Sequence, residues 1–351
     1  MQAAIVGAGG AGLLHALAFR AHGVAVRDVF DPDLDRARNL ASLLGARATG
    51  SFDVIADCDA ECVSICSPPR WHAEQAARCA REGRTVFVEK PVAVSLAELE
   101  RLETLPGCVP VVQWRAGRGI RAVRDAVAAF LLGPSPSACI DVLVRRSADY
   151  FAAGRGTSAG WGAGALLSVG IHALDAACFA LGRAALRVEG AVCPSGRGEV
   201  ERTACAIVAL SGGACATVRV TFDAACDEVR LAFAGGGVTA IIEGGEVDPT
   251  SGRVRWQAAA RAKRARFEAF ERTCGGHDTP PLLVPYIGDA LRRLRSGTKP
   301  GEQLDLPSIA DVAQAHAIAL RATAVDQAGS ACAPCARRSA RTACSCACCI
   351  R

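Results

Sequence analysis

The chain has 351 residues, enough for two packed domains, with 51% hydrophobic and 21% charged residues. No apolar run approaches the roughly 20 residues that a membrane span needs; the most apolar window, residues 163–181, is broken by Ser168, His172 and Asp175. The formal charge of +5 is no nucleic-acid footprint. Four of the 40 basic residues, Arg337, Arg338, Arg341 and Arg351, lie in the acid-free stretch 331–351, which leaves 36 against 35 acidic residues in the body.

Eighteen cysteines in a chain of this size, with no secretory signal after Met1, read as mostly reduced thiols of a cytoplasmic protein. Several, such as Cys66, Cys139 and Cys205, sit in strand-like runs as small buried hydrophobes.

Residues 3–6 read as a buried strand, followed by Gly7-Ala8-Gly9-Gly10-Ala11-Gly12 and a helix to Ala21 that Gly23 stops. The next strand, 25–30, ends in Asp31. In this strand–turn–helix setting Gly7 permits the tight turn, Gly9 lets a pyrophosphate approach the backbone, and Gly12 allows close helix–strand packing. Asp31, 19 residues after Gly12, lies where an acid accepts hydrogen bonds from ribose hydroxyls. A carboxylate there repels a 2′-phosphate, so NAD is favoured, with NADP as the alternative. Arg36 and Arg38, nearby, read as the exposed face of the next helix.

The alternation continues with a helix over 34–44, a connector at 51–53 and a buried strand over 62–66. Ser67-Pro68-Pro69-Arg70-Trp71-His72 then turns into a helix over 73–81. A strand from Thr85 ends in Glu89-Lys90-Pro91, because proline has no N–H to continue a ladder. In open α/β sheets ligands bind beyond the carboxyl ends of the strands, where this Glu and Lys stand. Ser95 and Glu98 have capping-box spacing, and 109–113 is the last strand of the rhythm.

Beyond it come a helix over 118–132, a strand over 138–144, a glycine-rich loop over 153–164 and an apolar helix to Leu181. Strands over 186–192, 203–210, 214–222, 228–233 and 238–242, joined by short turns, predict an antiparallel sheet. Helical sequence over 261–272, 284–295 and 309–324 completes the body. The expected fold is α/β: a Rossmann dinucleotide-binding domain over 1–113, then an α+β domain over 114–328 with an open, mainly antiparallel sheet. The stretch 329–351 is a Cys-, Ala- and Arg-rich tail with Cys332-x-x-Cys335 and four further cysteines. It reads as a disordered extension, with soft-metal binding as the alternative; no metal site is assigned.

Ser168, His172 and Asp175 fall at i, i+4 and i+7, one face of a regular helix. A polar stripe in so apolar a helix needs partners or a cavity. His172 is a candidate acid/base that Asp175 would orient.

Four motifs in this order resemble the glucose–fructose oxidoreductase, inositol dehydrogenase and rhizopine-catabolism (Gfo/Idh/MocA) family over residues 1 to about 326. They are the glycine fingerprint with Asp31, Pro68-Pro69-Arg70-Trp71-His72, Glu89-Lys90-Pro91, and the helix from Gly162 to Asp175. The resemblance implies an NAD(P)-dependent oxidoreductase that moves a hydride between nicotinamide and a carbinol or keto carbon of a sugar- or cyclitol-like substrate. It implies catalysis by Lys90 and His172, with the second domain used to form homodimers or homotetramers. It further implies cofactor contacts from Gly7 to Gly12, Asp31, Ser67, Pro68, His72, Glu89 and Lys90, and substrate contacts from Arg115, Ser168, His172 and Asp175. Ser168 stands where the family's dehydrogenases commonly have Asp, and a serine cannot hold a proton or charge near neutrality. That departure motivates the alternative of a non-catalytic dinucleotide sensor on the same fold. Ala163 breaks the family's glycine triplet, and Ser67 and Pro69 replace its usual Thr and Asn. No nucleic-acid or membrane partner is expected.

Overall fold

The computed structural model describes residues 1–152, 162–192, 200–244, 254–259, 283–297, 300 and 307–328. Most of the glycine-rich loop (153–161), the helix expected over 261–272 and the tail (329–351) lie outside the described residues.

The first half runs β1 (Gln2–Val6), α1 (Gly10–Ala21), β2 (Ala25–Phe30), α2 (Leu34–Leu44), β3 (Arg47–Thr49), α3 (Phe52–Asp57), β4 (Cys62–Ile65), α4 (His72–Cys79), β5 (Thr85–Val88), α5 (Leu96–Glu103) and β6 (Cys108–Pro110). All strand pairs are parallel, in the order β3-β2-β1-β4-β5-β6, so the strand order reverses between β1 and β4. In open α/β sheets the ligand crevice lies at such a reversal, beyond the carboxyl ends of the strands. β4 and β5 are buried along their whole length, as strands covered on both faces must be, which is why they read as continuous apolar runs.

Three local expectations change. The connector at 51–53 opens α3, and β3, too short to carry a period, pairs with β2. The strand expected over 109–113 stops at Pro110, and a 3₁₀ turn, Gln113–Ala116, buries Trp114 and Arg115. Ser95 accepts the Glu98 N–H, but the Glu98 carboxylate reaches the Val94 N–H.

The second half begins with α6 (Arg118–Ala128), which closes earlier than expected. Phe130 takes a φ of 57° and the Leu131 N–H returns to the Ala126 carbonyl. Next come β7 (Ser137–Arg145), α7 (Ala148–Ala152), a π-helical turn at Leu166–Gly170, α8 (Ile171–Leu181), β8 (Ala185–Val192), β9 (Thr203–Leu210), β10 (Cys215–Thr221), β11 (Asp223–Gly235), β12 (Val238–Gly244) and β13 (Arg255–Ala258). They form a sheet of order β13-β12-β11-β7-β10-β9-β8. It is antiparallel except at its centre, where β7 and β10 are parallel. The chain leaves β7 through helices before coming back beside it, and such a crossover permits a parallel pair. Burial alternates along β7, β9 and β10: one face packs on α8 and the π turn before it, and the other exposes Cys139, Ile207 and Arg219.

The last two helices, α9 (Leu283–Arg295) and α10 (Ile309–Ala328), join the two halves. α9 lies on α1, where His22 Nε2 meets the Val284 carbonyl at 2.8 Å, and the Tyr286 hydroxyl donates to the Pro110 carbonyl. α10 packs on α5, α8 and β8. Among the described residues no helix is long and apolar enough to cross a membrane.

Candidate active site

The crevice begins at the glycine turn. Gly7 has a φ of +97°, and a Cβ there would come within 2.7 Å of the Cys66 carbonyl oxygen. A Cβ on Gly12 would lie 2.0 Å from the Gly7 carbonyl oxygen, so α1 can cross β1 this closely only with glycine. Gly9 and Gly10 differ, because a Cβ on either would meet nothing within 4 Å. The space over them is open, and α1 starts there with no side-chain cap. Helix N-terminal N–H groups facing open space suit a diphosphate. The Asp31 carboxylate accepts the Ala8 N–H and the Asp33 N–H, each at 2.9 Å, and is held at the rim of the turn. Arg36 and Arg38 are exposed and paired with Asp33 and Asp35, so neither neutralises Asp31. The residues present therefore fit NAD.

Opposite the turn, Glu89, Lys90 and Pro91 leave the end of β5 with a cis Lys90–Pro91 bond. Three histidines brace this segment. His15, fully buried on α1, places Nδ1 2.9 Å from Ser64 Oγ on β4 and Nε2 3.1 Å from Glu89 Oε1. His72, expected to touch the cofactor, is buried and spans the Ser67 and Pro91 carbonyls, each at 2.8 Å; it ties two loops together. His316, on α10, accepts the Val92 N–H at 3.1 Å. Ser67 Oγ donates to Gln75, and Pro68, exposed, precedes the short 3₁₀ turn Pro69–Trp71.

Glu89 accepts the Lys90 N–H on its second oxygen at 3.0 Å. Burial works against its ionised form, but the hydrogen bond and field of His15 and the Lys90 ammonium outweigh it and hold the carboxyl at about 2. Lys90 Nζ donates to the Ser168 main-chain carbonyl at 2.9 Å, which brings the end of β5 onto the π turn that precedes α8.

The expected polar stripe does not form. The π turn changes the rotation between Ser168 and the residues after it, and each of the three side chains finds a different neighbour. Ser168 Oγ donates back to the Gly164 carbonyl. Asp175 meets Arg115 instead of His172, with Oδ2 2.9 Å from Nε and Oδ1 2.5 Å from Nη2. Arg115 and Asp175 are 4% and 1% exposed, so this pair, expected to contact substrate, is a buried cross-link between the 3₁₀ turn and α8.

His172 is left beside Lys90. Its ring stacks on Trp114, with centroids 5.3 Å apart and planes at 15°. Nδ1 is buried without a hydrogen-bond partner among the described residues. Burial first, then the Lys90 charge, pushes its pKa well below the usual histidine value, so the ring is a neutral acceptor at physiological pH. Glu201, which motif reading missed, is also buried here, and its carboxylate accepts the Leu166 N–H at 3.1 Å at the start of the π turn. His15 was missed as well. Its signal was a polar residue three positions after Gly12 and four before Phe19, in the row of α1 that faces the sheet.

Comparison with known proteins agrees with this fold. The family described as "Oxidoreductase family, NAD-binding Rossmann fold" matches residues 1–106, and the GFO/IDH/MocA C-terminal domain matches residues 120–240. An uncharacterised oxidoreductase of Rhizobium meliloti is 42% identical over 84 residues, 23% of this chain and 25% of that protein. Inositol 2-dehydrogenase 3 of Saccharopolyspora erythraea is 33% identical over 103 residues, 29% of this chain and 28% of that one. The chain thus aligns with little more than a quarter of these relatives' length. The WlbA dehydrogenase of Bordetella pertussis, solved with NADH and UDP-GlcNAcA, superimposes with a TM-score of 0.75 at 21% identity, covering 94% of this chain and 96% of that one. That likeness establishes the shared fold.

Proposed function

The chain belongs to the GFO/IDH/MocA oxidoreductase family, and on that premise we propose that it is an NAD-dependent dehydrogenase of a sugar- or cyclitol-like substrate. A hydride would pass between the nicotinamide and a carbinol or keto carbon, with Lys90 and His172 at the reacting oxygen. One observation carries the reading. A buried, neutral histidine with a ring nitrogen unpartnered among the described residues stands beside the cation that leaves the carboxyl end of β5.

The turn from Gly7 to Gly12 and Asp31 would hold NAD, which when bound supplies the hydride acceptor. The chain's own residues do the rest. The Lys90 ammonium, aimed by Ser168 and backed by ionised Glu89, stabilises negative charge developing on the substrate oxygen. His172, kept neutral, takes the hydroxyl proton as oxidation proceeds and returns it in the reverse direction. Stacking on Trp114 fixes the ring plane. Arg115 and Asp175 hold the 3₁₀ turn that carries Trp114 to the helix that carries His172. The open face of the second sheet would receive a second copy, in a homodimer or homotetramer.

Ser168 favours one rival, a dinucleotide sensor without chemistry, because its hydroxyl is spent on Gly164 and its carbonyl on Lys90. Turnover separates the two. With a panel of cyclitols, sugars and nucleotide sugars, absorbance of the reduced nicotinamide should rise for the wild type. Lys90→Ala should lose it by about a hundredfold or more while binding NAD within about threefold. NAD binding with no turnover across the panel would favour the sensor, and an active Lys90→Ala would remove Lys90 from the chemistry.

A further inference from the structure

We propose that His15 is the positioning residue for Lys90: it locks the Glu89 carboxylate, and through it the main chain at Lys90, onto the helix that carries the phosphate turn. The proposal rests on the reading of Lys90 as the cation at the reacting oxygen.

Consider first which way the protons point. Glu89 is ionised and can only accept, so the 3.1 Å contact requires a proton on His15 Nε2. The Ser64 hydroxyl, 2.9 Å from Nδ1 and buried in β4, meets the other side of the ring and fixes its rotation. One Glu89 oxygen is thereby held from α1, and the other holds the Lys90 N–H at 3.0 Å. Three elements meet in one line of contacts: α1, the end of β5, and the π turn whose Ser168 carbonyl receives Nζ.

A lysine needs such help. Its ammonium ends a flexible four-carbon stem, and a point charge placed loosely by an ångström loses most of its value at a transition state. The chain has only three lysines, Lys90, Lys263 and Lys299, against 37 arginines, so a lysine at this position stands out against the composition. A histidine that merely filled the core would serve as well if replaced by phenylalanine. Here phenylalanine would strip a buried carboxylate of a donor, which is costly. α1 also begins at the open glycine turn, so one side chain joins the NAD site to the lysine.

The groups facing Glu89 are His15 on α1, Cys66 after β4, His72 on α4, the adjacent Lys90, His172 on α8 and Tyr286 on α9. With the His15 donor removed, the balance tips toward burial and the carboxyl titrates at higher pH.

The test uses the full chain with its amines dimethylated by ¹³C-formaldehyde and a borohydride reductant, which gives four resonances, three from lysines and one from the N-terminal amine, with that of Lys90 assigned by its loss in Lys90→Arg. In the wild type the Lys90 resonance should carry no inflection from Glu89 between about pH 4 and 6, because Glu89 remains ionised there. In His15→Phe an added inflection should appear in that window. His15→Gln places an amide N–H near the Nε2 position and should restore the wild-type profile. If His15→Phe does not fold, His15→Asn, too short to reach Glu89, takes its place against His15→Gln. Turnover should fall about ten- to a hundredfold in the Phe or Asn variant, with NAD affinity within about threefold, and recover in the Gln variant. Superimposable Lys90 titrations in the wild type and in the variant that lacks the donor would overturn the proposal. If Lys90→Ala abolishes turnover while those titrations coincide, the functional reading stands and the His15 proposal falls. If Lys90→Ala stays active while the inflection appears, His15 still positions Lys90 and the functional reading falls.

Discussion

Replacing Asp175 by Asn should unfold this protein more readily rather than loosen its grip on substrate. The carboxylate and the Arg115 guanidinium meet at 2.5 and 2.9 Å, both nearly excluded from water, with Arg115 also 5.3 Å over the Phe179 ring. Asn keeps the shape and size of Asp, so no cavity forms. What remains is a guanidinium that cannot shed its proton, buried without the carboxylate that met it on two nitrogens. Breaking a buried ion pair from one side costs about 3–5 kcal/mol, whereas exchanging both partners for apolar side chains is often close to neutral. Asp175→Asn should therefore lose about 3–5 kcal/mol in urea unfolding at pH 7, and Arg115→Met with Asp175→Leu should recover most of it. Circular dichroism across a urea series, with the double-mutant cycle completed, measures both. An Asp175→Asn protein within about 1 kcal/mol of the wild type, with a raised KM, would refute the reasoning and return the pair to the substrate.

The glycine turn predicts a split. Gly12→Ala drives a Cβ against the Gly7 carbonyl, so it should lower the melting temperature and NAD affinity together. Gly9→Ala meets no protein atom, so it should leave melting unchanged and weaken NAD alone, as read by calorimetric titration. Glu201→Ala removes the acceptor of the Leu166 N–H at a helix start and should cost about 1–2 kcal/mol in the same urea assay. Stability should also fall on the acid side. Glu89, lowered from 4.5 to about 2, contributes fully above its unfolded value and loses that contribution as pH falls toward 2, a loss of about 3 kcal/mol. His172, pushed well below the usual 6.5, and His316, at about 4, are buried neutral. The unfolded chain takes up their protons as pH drops below about 6.5, so their effect has the same sign. Urea midpoints from pH 7 to 3 should decline throughout, and Glu89→Gln should flatten the portion below about pH 4.5.

The first half was legible because its signals are local. Each strand, turn and helix there spans a dozen residues at most, and the glycines, Asp31 and the proline after Lys90 act within or beside them. The second sheet was legible as a series of strands, whereas its parallel centre depended on where a crossover returned. The candidate site was legible as a list of residues but not as a set of partners. Asp175 binds a residue 60 positions earlier, and His15 reaches one 74 positions later, which no periodicity encodes. The π turn at Leu166–Gly170 broke the one assumption on which the helical stripe rested, a constant rotation per residue.

By itself, then, the sequence determined the dinucleotide fold, the crevice and the place of Lys90 at its edge, since strand ends and turn chemistry are set by neighbouring residues. Only the tertiary structure decided what surrounds Lys90: Glu89 held from α1, Ser168 offering a carbonyl instead of a hydroxyl, and His172 alone with its ring nitrogen unpartnered among the described residues. The reason is physical. A buried polar group takes whichever partner packing brings within about 3 Å, and packing joins segments far apart in the chain.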